Sequence, residues 1–243
     1  MWMTTMALAT AAGVLPTALW GREWTMRRRL QLEYNIRMAQ SLGRAATLRD
    51  HETGAHNYRV TYLASLFGEA CGLDRLVIRS LMKGAFLHDV GKIGIPDAIL
   101  LKQGPLDERE RAVMREHPVM GVNLLSDMPW FQDAIPVVRH HHEHFDGTGY
   151  PDGLVGEAIP FVARIFAVVD VFDALLAARP YKSAFPMQKV LSAIEEGCTR
   201  HFDTAIGEAF LRHAPDFSNQ VLGRSERELK EMLELRRRRI FGV

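Results

Sequence analysis

The stretch "FVARIFAVVDVFDALLAA" (residues 161–178) has the most apolar helical pattern in the chain. Apart from Arg164, its charged side chains are those of Asp170 and Asp173. The length and apolar character of the stretch predict a buried helix. A carboxylate inside such a helix requires a cation or strong hydrogen bonds, because an uncompensated buried charge is costly. This stretch therefore predicts both a helical core and a functional group within it.

The rest of the chain also has helical periodicity. Helices are predicted over about 23–49, within 52–72, from 74 to about 87, over 107–116, from 118, from about 132 to the histidines near 140, and near 186–197, 205–213 and 224–238. Asp74 has the position of an N-cap, and Asp107 with Glu110 has the spacing of a capping box. The segment from Asp146 to Pro160, with four glycines and two prolines, predicts a loop. Because no period-2 strand series is present, the sequence predicts an all-α fold.

The composition is that of an ordinary soluble globular protein. Of the 243 residues, 47% are hydrophobic and 24% are charged. The formal net charge of +1 argues against nucleic-acid binding by bulk electrostatics. Two cysteines far apart in sequence, Cys71 and Cys198, argue against a disulfide framework and against a thiolate metal site.

The first 21 residues contain no charged side chain, and Arg22 and the arginines at 27–29 follow them. This pattern permits a membrane anchor with the remainder of the chain in the cytoplasm. Four threonines, Gly13 and Pro16 favour instead an apolar leader or a packed segment. Both interpretations stay open.

The chain ends in "LRRRRIFGV" (residues 235–243), with four adjacent arginines. The pattern predicts a solvated helix end, with contact to an anionic surface as the alternative.

Histidines and carboxylates are concentrated in one part of the chain. Eight of the ten histidines fall between His51 and His144. The candidate metal ligands form an ordered series: Glu52, His56, His88, Asp89, His117, His141, His142 and Asp170. Imidazole nitrogens with carboxylate oxygens, without thiolates, suit iron, manganese or zinc. Eight groups exceed the needs of one tetrahedral zinc and are enough for two six-coordinate ions with a bridging carboxylate. Two metal ions about 3.5–4 Å apart can clamp the attacking and leaving oxygens in phosphoester hydrolysis.

Other histidines are expected to be incidental. His201 and His213 are predicted to be surface or core residues, and His51, His140 and His144 to flank the ligand series. Glu143 is expected to orient one of the ligand imidazoles.

The motifs "LRDHETGAHNYRV", "FLHDVGKIGIPD", "EHPVMG", "RHHHEHFDGTGYPDG" and "AVVDVFDALLAARPYK" together resemble the HD-GYP family, a subgroup of the bacterial HD metal-dependent phosphohydrolases. The resemblance covers about residues 44–213. It implies an all-α HD-domain bundle with additional helices. It also implies a GYP loop, named for Gly149, Tyr150 and Pro151, after the metal-binding helix. It also implies hydrolysis of cyclic di-GMP to linear pGpG, or onward to GMP, by a metal-bridging hydroxide. The cofactors implied are two or three divalent ions, iron or manganese.

The resemblance also implies roles for individual residues. Asp89 would bridge metals and act in catalysis, and Glu52 with His56 would hold a third ion. Lys92 would reach the scissile phosphate as a catalytic and substrate-binding residue. The remaining substrate-binding positions implied are Tyr150, Arg179 and Lys182.

Three alternatives remain beside this function. One is a phosphodiesterase for another cyclic dinucleotide, such as cyclic GMP-AMP. Another is a cyclic-dinucleotide-responsive interaction module that contacts diguanylate cyclases through the GYP loop. A generic HD nucleotidase is disfavoured by the GYP segment and by "RPYK".

The domain organisation expected is an apolar leader or membrane anchor over 1–21, a connector helix over 22–43 and the HD-GYP domain over 44–243. A bacterial cytoplasmic location follows, on the inner face of the membrane if residues 1–21 act as an anchor. The apolar stripe of the N-terminal helix could pair with a second copy in a homodimer.

Overall fold

A computed structural model of the chain describes residues 7–49, 54–177 and 184–242. The α-helices within these ranges are α1 (Ala7–Arg49), α2 (Gly54–Ala70), α3 (Arg75–Leu87), α4 (Asp97–Leu100), α5 (Glu108–Met114), α6 (His117–Leu125), α7 (Ile135–His140), α8 (Phe161–Leu176), α9 (Met187–Gly197), α10 (Thr204–Val221) and α11 (Glu226–Phe241). Three 3₁₀ segments span Val90–Gly94, Pro129–Ala134 and Gly156–Ala158. β-Structure in the same ranges is limited to two isolated bridges, Asp146 with Val155 and Cys198 with Phe202. The all-α prediction is confirmed.

The chain divides into two compact units, one ending at Met38 and the other formed by Ala39–Gly242. Within the first unit, α1 exposes Trp24, Leu30 and Tyr34. The homodimer predicted for this helix stays a prediction. Among the residues that the structure describes, no helix combines the length and the apolar character needed to cross a membrane. The predicted leader lies partly outside the described residues, which begin at position 7.

The core of the second unit contains a cluster of phenylalanine rings contributed by three helices. Phe67 of α2 and Phe172 of α8 each lie 5.0 Å, centroid to centroid, from the ring of Phe210 in α10. All three side chains are fully buried. Burial of one such ring stabilises the fold by roughly 1.5–3 kcal/mol relative to its exposure. This cluster fixes α2 and α8 against each other, and both helices carry candidate ligands.

Several predicted helix ends are confirmed. The side chain of Asp74 accepts a hydrogen bond from the backbone N–H of Leu76. Asp107 and Glu110 form the predicted capping box at the start of α5. The predicted end of α10 near residue 213 is wrong, because the helix continues through Pro215 to Val221.

Two of the four C-terminal arginines, Arg236 and Arg239, pair with α2, whereas the other two pair with Glu234 within α11. Arg236 of α11 is buried, and its guanidinium donates hydrogen bonds to the hydroxyl and carbonyl oxygens of Ser65 in α2. The same guanidinium lies 2.6 Å from the carboxylate of Glu69, which also pairs with Arg239. The predicted solvated helix end is therefore wrong at Arg236, which joins α11 to α2.

Candidate metal centre

His88 and Asp89 lie where α3 ends and the 3₁₀ segment Val90–Gly94 begins. His88 is the C-cap of α3, and its Nδ1 lies 2.9 Å from the carbonyl oxygen of Ala85. A carbonyl oxygen only accepts hydrogen bonds, so Nδ1 carries a proton, and in the neutral ring the lone pair is that of Nε2, which faces the site. This Nε2 lies 3.1 Å from Oδ2 of Asp89. The helix end therefore sets the tautomer of His88.

The first cluster of ligand atoms comes from three elements. Asp89, His117, His141 and His142 place one ligand atom each within 4.8 Å of one another. Oδ1 of Asp89 lies 3.1 Å from Nε2 of His117 and 3.9 Å from Nε2 of His141. His117 is the first residue of α6, and His141 is the C-cap of α7.

The orientation of the His117 and His141 rings suits a bound cation. Nδ1 of His117 lies 2.9 Å from the carbonyl oxygen of Met114, and Nδ1 of His141 lies 3.0 Å from that of Val138. Both Nδ1 atoms must donate, so the two Nε2 atoms are acceptors when the rings are neutral. Yet these two Nε2 atoms are 3.3 Å apart. Facing lone pairs at this distance repel unless a proton or a metal ion lies between them, so the donor set suits a metal.

The second cluster lies beside the first. His56, His88 and Asp170 also bring their ligand atoms within 4.8 Å of one another. Oδ1 of Asp170 lies 3.6 Å from Nε2 of His56 and 4.0 Å from Nε2 of His88. Asp89 connects the two clusters, because its Oδ2 faces His88 while its Oδ1 faces His117. This is the placement that a bridging carboxylate requires.

Asp173, the second carboxylate in the apolar helix, supports the second cluster. It is buried, and its Oδ2 lies 2.8 Å from Nδ1 of His56. Arg59 donates two hydrogen bonds to the same carboxylate, of 2.6 and 2.9 Å. These contacts hold Nδ1 of His56 protonated and direct its Nε2 towards Asp170. Arg59 is not among the site residues predicted from the sequence. The available signal was its position three residues after His56 on the same helix.

Burial and charge set the protonation of the site. Burial, together with the neighbouring histidines, holds the pKa values of His141 and His142 well below the ordinary value, so both rings are neutral near pH 7. Burial alone would lower the pKa of His88, but the carboxylates of Asp89 and Asp170 outweigh it and raise that pKa to about 9. Burial alone would raise the pKa of Asp89, but His88 and Lys92 hold it well below its usual range. A bound cation would therefore replace a proton on His88.

A cavity of about 280 Å³ opens beside both clusters. Asp89, Lys92 and Asp170 contribute to its lining. Nζ of Lys92 lies 2.9 Å from Oδ2 of Asp89, so its ammonium group is held next to the candidate metal positions. Two histidines expected to be incidental, His144 and His201, also line this cavity.

Glu143 anchors the GYP loop to the segment that carries the candidate ligands His141 and His142. This side chain is buried, and its carboxylate accepts hydrogen bonds from the backbone N–H groups of Asp152 (2.7 Å) and Leu154 (3.1 Å). It also lies 3.8 Å from Nδ1 of His140, which is outside the predicted ligand set. The expectation that Glu143 orients a ligand imidazole is wrong. Its hydrogen bonds fix the loop instead.

Tyr150 lies against His142, one of the candidate metal ligands. Its ring stacks on that of His142 with centroids 4.7 Å apart and planes 26° apart. The guanidinium of Arg115 lies over the same ring, 5.3 Å from its centroid. Burial, together with the charge of Asp89, raises the pKa of Tyr150, so the phenol stays protonated at physiological pH. Tyr150 therefore reaches the candidate site as a neutral hydrogen-bonding group.

Three predicted site residues, Glu52, Arg179 and Lys182, lie outside the described residues. A further group of potential ligands consists of His140, Glu143 and the loop residue Asp152. The carboxylate of Asp152 forms two 2.7 Å hydrogen bonds with Arg139, and that of Glu143 binds the loop backbone. Because protein donors already satisfy both carboxylates, we assign no metal to this group.

The helical bundle and its paired histidine–aspartate clusters define the class of protein. The chain belongs to the HD-domain family, whose sequence model matches residues 40–206. Within that family it is related to the HD-GYP cyclic di-GMP phosphodiesterases, which confirms the resemblance seen in the motifs.

Two curated relatives and one solved structure illustrate the relationship. The cyclic di-GMP phosphodiesterase response regulator RpfG of Xanthomonas campestris is 48% identical over 173 residues, covering 70% of this chain and 46% of RpfG. The 3′3′-cGAMP-specific phosphodiesterase 2 of Vibrio cholerae is 37% identical, covering 76% of this chain and 36% of that protein. The chain thus spans about half or less of the length of these relatives. Bd1817, a HDG"Y"P protein from Bdellovibrio bacteriovorus, superposes with a TM-score of 0.55 at 22% identity, covering 69% of this chain and 53% of that one, which shows the shared fold.

Proposed function

We propose that the chain is a metal-dependent phosphodiesterase that hydrolyses cyclic di-GMP to linear pGpG, and onward to GMP if the second phosphodiester is also cleaved. The observation that carries the proposal is the position of Asp89, with one carboxylate oxygen facing each cluster. The 48% identity to RpfG supports the choice of substrate.

Different residues of the chain would hold the metal ions and bind the substrate. The set proposed to hold them is Glu52, His56, His88, Asp89, His117, His141, His142 and Asp170. Two or three divalent ions, iron or manganese, would supply Lewis-acid activation of water and of the phosphoryl oxygens. Lys92 would offset the charge that develops on the phosphate. Tyr150, Arg179 and Lys182 would bind the dinucleotide. The positively charged side chains of Arg179 and Lys182 would pair with its phosphates.

A second candidate substrate is 3′3′-cyclic GMP-AMP. The observation that favours it is the 37% identity to a phosphodiesterase specific for that dinucleotide. Contact with diguanylate cyclases through the GYP loop remains a separate prediction, as an alternative to the two enzymatic functions.

The proposal is tested by loading the purified chain with manganese, or with iron under anaerobic reducing conditions, and separating its products by chromatography. Cyclic di-GMP and cyclic GMP-AMP are supplied in parallel to the same preparation. We expect linear pGpG from cyclic di-GMP, at a higher kcat/KM than for cyclic GMP-AMP. The double variant His88→Ala, Asp89→Ala should lose both bound metal and activity, while His213→Ala should retain both. Metal-loaded protein that hydrolyses neither dinucleotide would contradict the proposal.

A further inference from the structure

Two histidines outside the ligand set, His144 and His201, come together at the wall of the cavity. His144 precedes the GYP loop, and His201 lies in the turn before α10, 57 positions later in the numbering. Two backbone hydrogen bonds join these segments, from the N–H of Phe145 to the carbonyl of His201 (3.1 Å) and from that of Asp146 to the carbonyl of Arg200 (2.8 Å). The two side chains are thus held on one connected backbone unit.

The rings form a continuous aromatic surface. The centroids of His144 and His201 are 4.0 Å apart with planes inclined by 46°. His201 in turn stacks on Phe202, with centroids 4.4 Å apart and planes 11° apart. Nδ1 of His144 lies 3.0 Å from the hydroxyl oxygen of Thr148, and this contact holds the His144 ring in place. Phe202 is buried, so the exposed part of the surface is the histidine pair.

This aromatic surface borders the reaction site. His144 and His201 line the same cavity as Asp89, Lys92 and Asp170. Burial and the neighbouring His144 lower the pKa of His201 to about 4, so this ring is uncharged near pH 7. A neutral aromatic wall next to a phosphate-directed site offers ring surfaces on which the π-face of a nucleobase can pack.

We infer that His144 and His201 form a stacking subsite for a purine base of the nucleotide whose phosphate lies at the metal clusters. The inference rests on the proposed function for the identity of the nucleotide and extends it to base binding. Stacking tolerates different bases, so the pair would hold guanine and adenine alike. Selection between them would then depend on other contacts.

The test compares ring removal with ring replacement in the metal-loaded full chain. His201→Ala and His144→Ala remove one ring each, whereas His201→Phe retains a flat ring. His213→Ala is the matched control, because His213 is also stacked on a phenylalanine, Phe217, with centroids 5.6 Å apart and planes 23° apart. Binding of GMP and of ribose 5-phosphate, which lacks the base, is measured by calorimetry, together with KM and kcat for cyclic di-GMP.

We expect His201→Ala to weaken GMP binding and to raise KM about tenfold, the usual size of a lost base-stacking contact. Ribose 5-phosphate binding should stay unchanged, kcat should stay within about twofold, and His201→Phe should restore most of the loss. Equal weakening of GMP and ribose 5-phosphate, or no change in either, would overturn the subsite. If no cyclic dinucleotide is hydrolysed, the proposed function fails, but the comparison of the two monophosphates still decides whether the base subsite exists.

Discussion

The position of His117 relative to Asp89 depends on Gly91, a residue without a side chain. A Cβ at Gly91 would overlap the carbonyl oxygen of His117 and the backbone nitrogen of Gly121. These are backbone atoms, which cannot rotate away as a side chain can. Gly91 therefore lets the 3₁₀ segment approach α6 closely enough for Asp89 and His117 to share a ligand cluster.

We expect Gly91→Ala to weaken metal binding and to lower stability by about 1–3 kcal/mol, the usual cost of an overpacked contact. The reason is that the added methyl group forces the 3₁₀ segment away from α6 and separates Oδ1 of Asp89 from Nε2 of His117. Manganese affinity by calorimetry and the thermal midpoint by circular dichroism measure the two effects. Gly94→Ala is the control, because its Cβ would meet the end of the flexible Met120 side chain. Equal manganese affinities for the two variants would refute this role of Gly91.

Helix α11 is joined to α2 by a network of charges. Glu69 of α2 pairs with Arg236 and Arg239 of α11. Burial alone would raise the pKa of Glu69, but hydrogen bonds from Arg239 and Arg236 hold it below the ordinary value of 4.5. The network stabilises the helix that follows the family match, which ends at residue 206.

Glu69→Gln should lower the free energy of unfolding by about 1 kcal/mol near pH 7, a modest value because the side chain is 34% exposed and water screens the pair. The folded-state pKa lies below the unfolded value, so the carboxylate contributes stability above the unfolded pKa and loses it as pH falls through the folded pKa. The difference between wild type and variant should therefore shrink as the pH is lowered from 7 to below 4.5. Urea denaturation at several pH values measures it. Glu234→Gln, which affects pairs within α11, should have a smaller effect, and a difference that grows in acid would contradict the assignment.

Local signals in the sequence were sufficient to predict an all-α fold for the molecule. Apolar periodicity and caps such as Asp74 depend on neighbouring residues, so they could be predicted without the tertiary structure. The unpredicted course of α10 past Pro215 depends on packing, since Phe217 and Val221 are buried beyond the proline.

In the candidate site, too, local features could be predicted from the sequence and long-range contacts could not. Candidate metal ligands such as His88 and Asp89 could be predicted because they are adjacent in the sequence. The meeting of His144 with His201, and of Arg59 with Asp173, joins residues far apart in the chain. Such contacts are products of the tertiary fold, and a single sequence carries no local signal for them.

We propose that two adjacent ligand clusters, joined by Asp89, hold the metal ions with which the chain hydrolyses cyclic di-GMP. The most direct measurement is the rate of cyclic di-GMP turnover as chelator-stripped protein is titrated with manganese under reducing conditions. We expect negligible turnover without metal and a rise to a plateau at two or three equivalents per chain. Full turnover in the stripped protein, a plateau at one equivalent, or no turnover at any loading would refute a site of two or three ions.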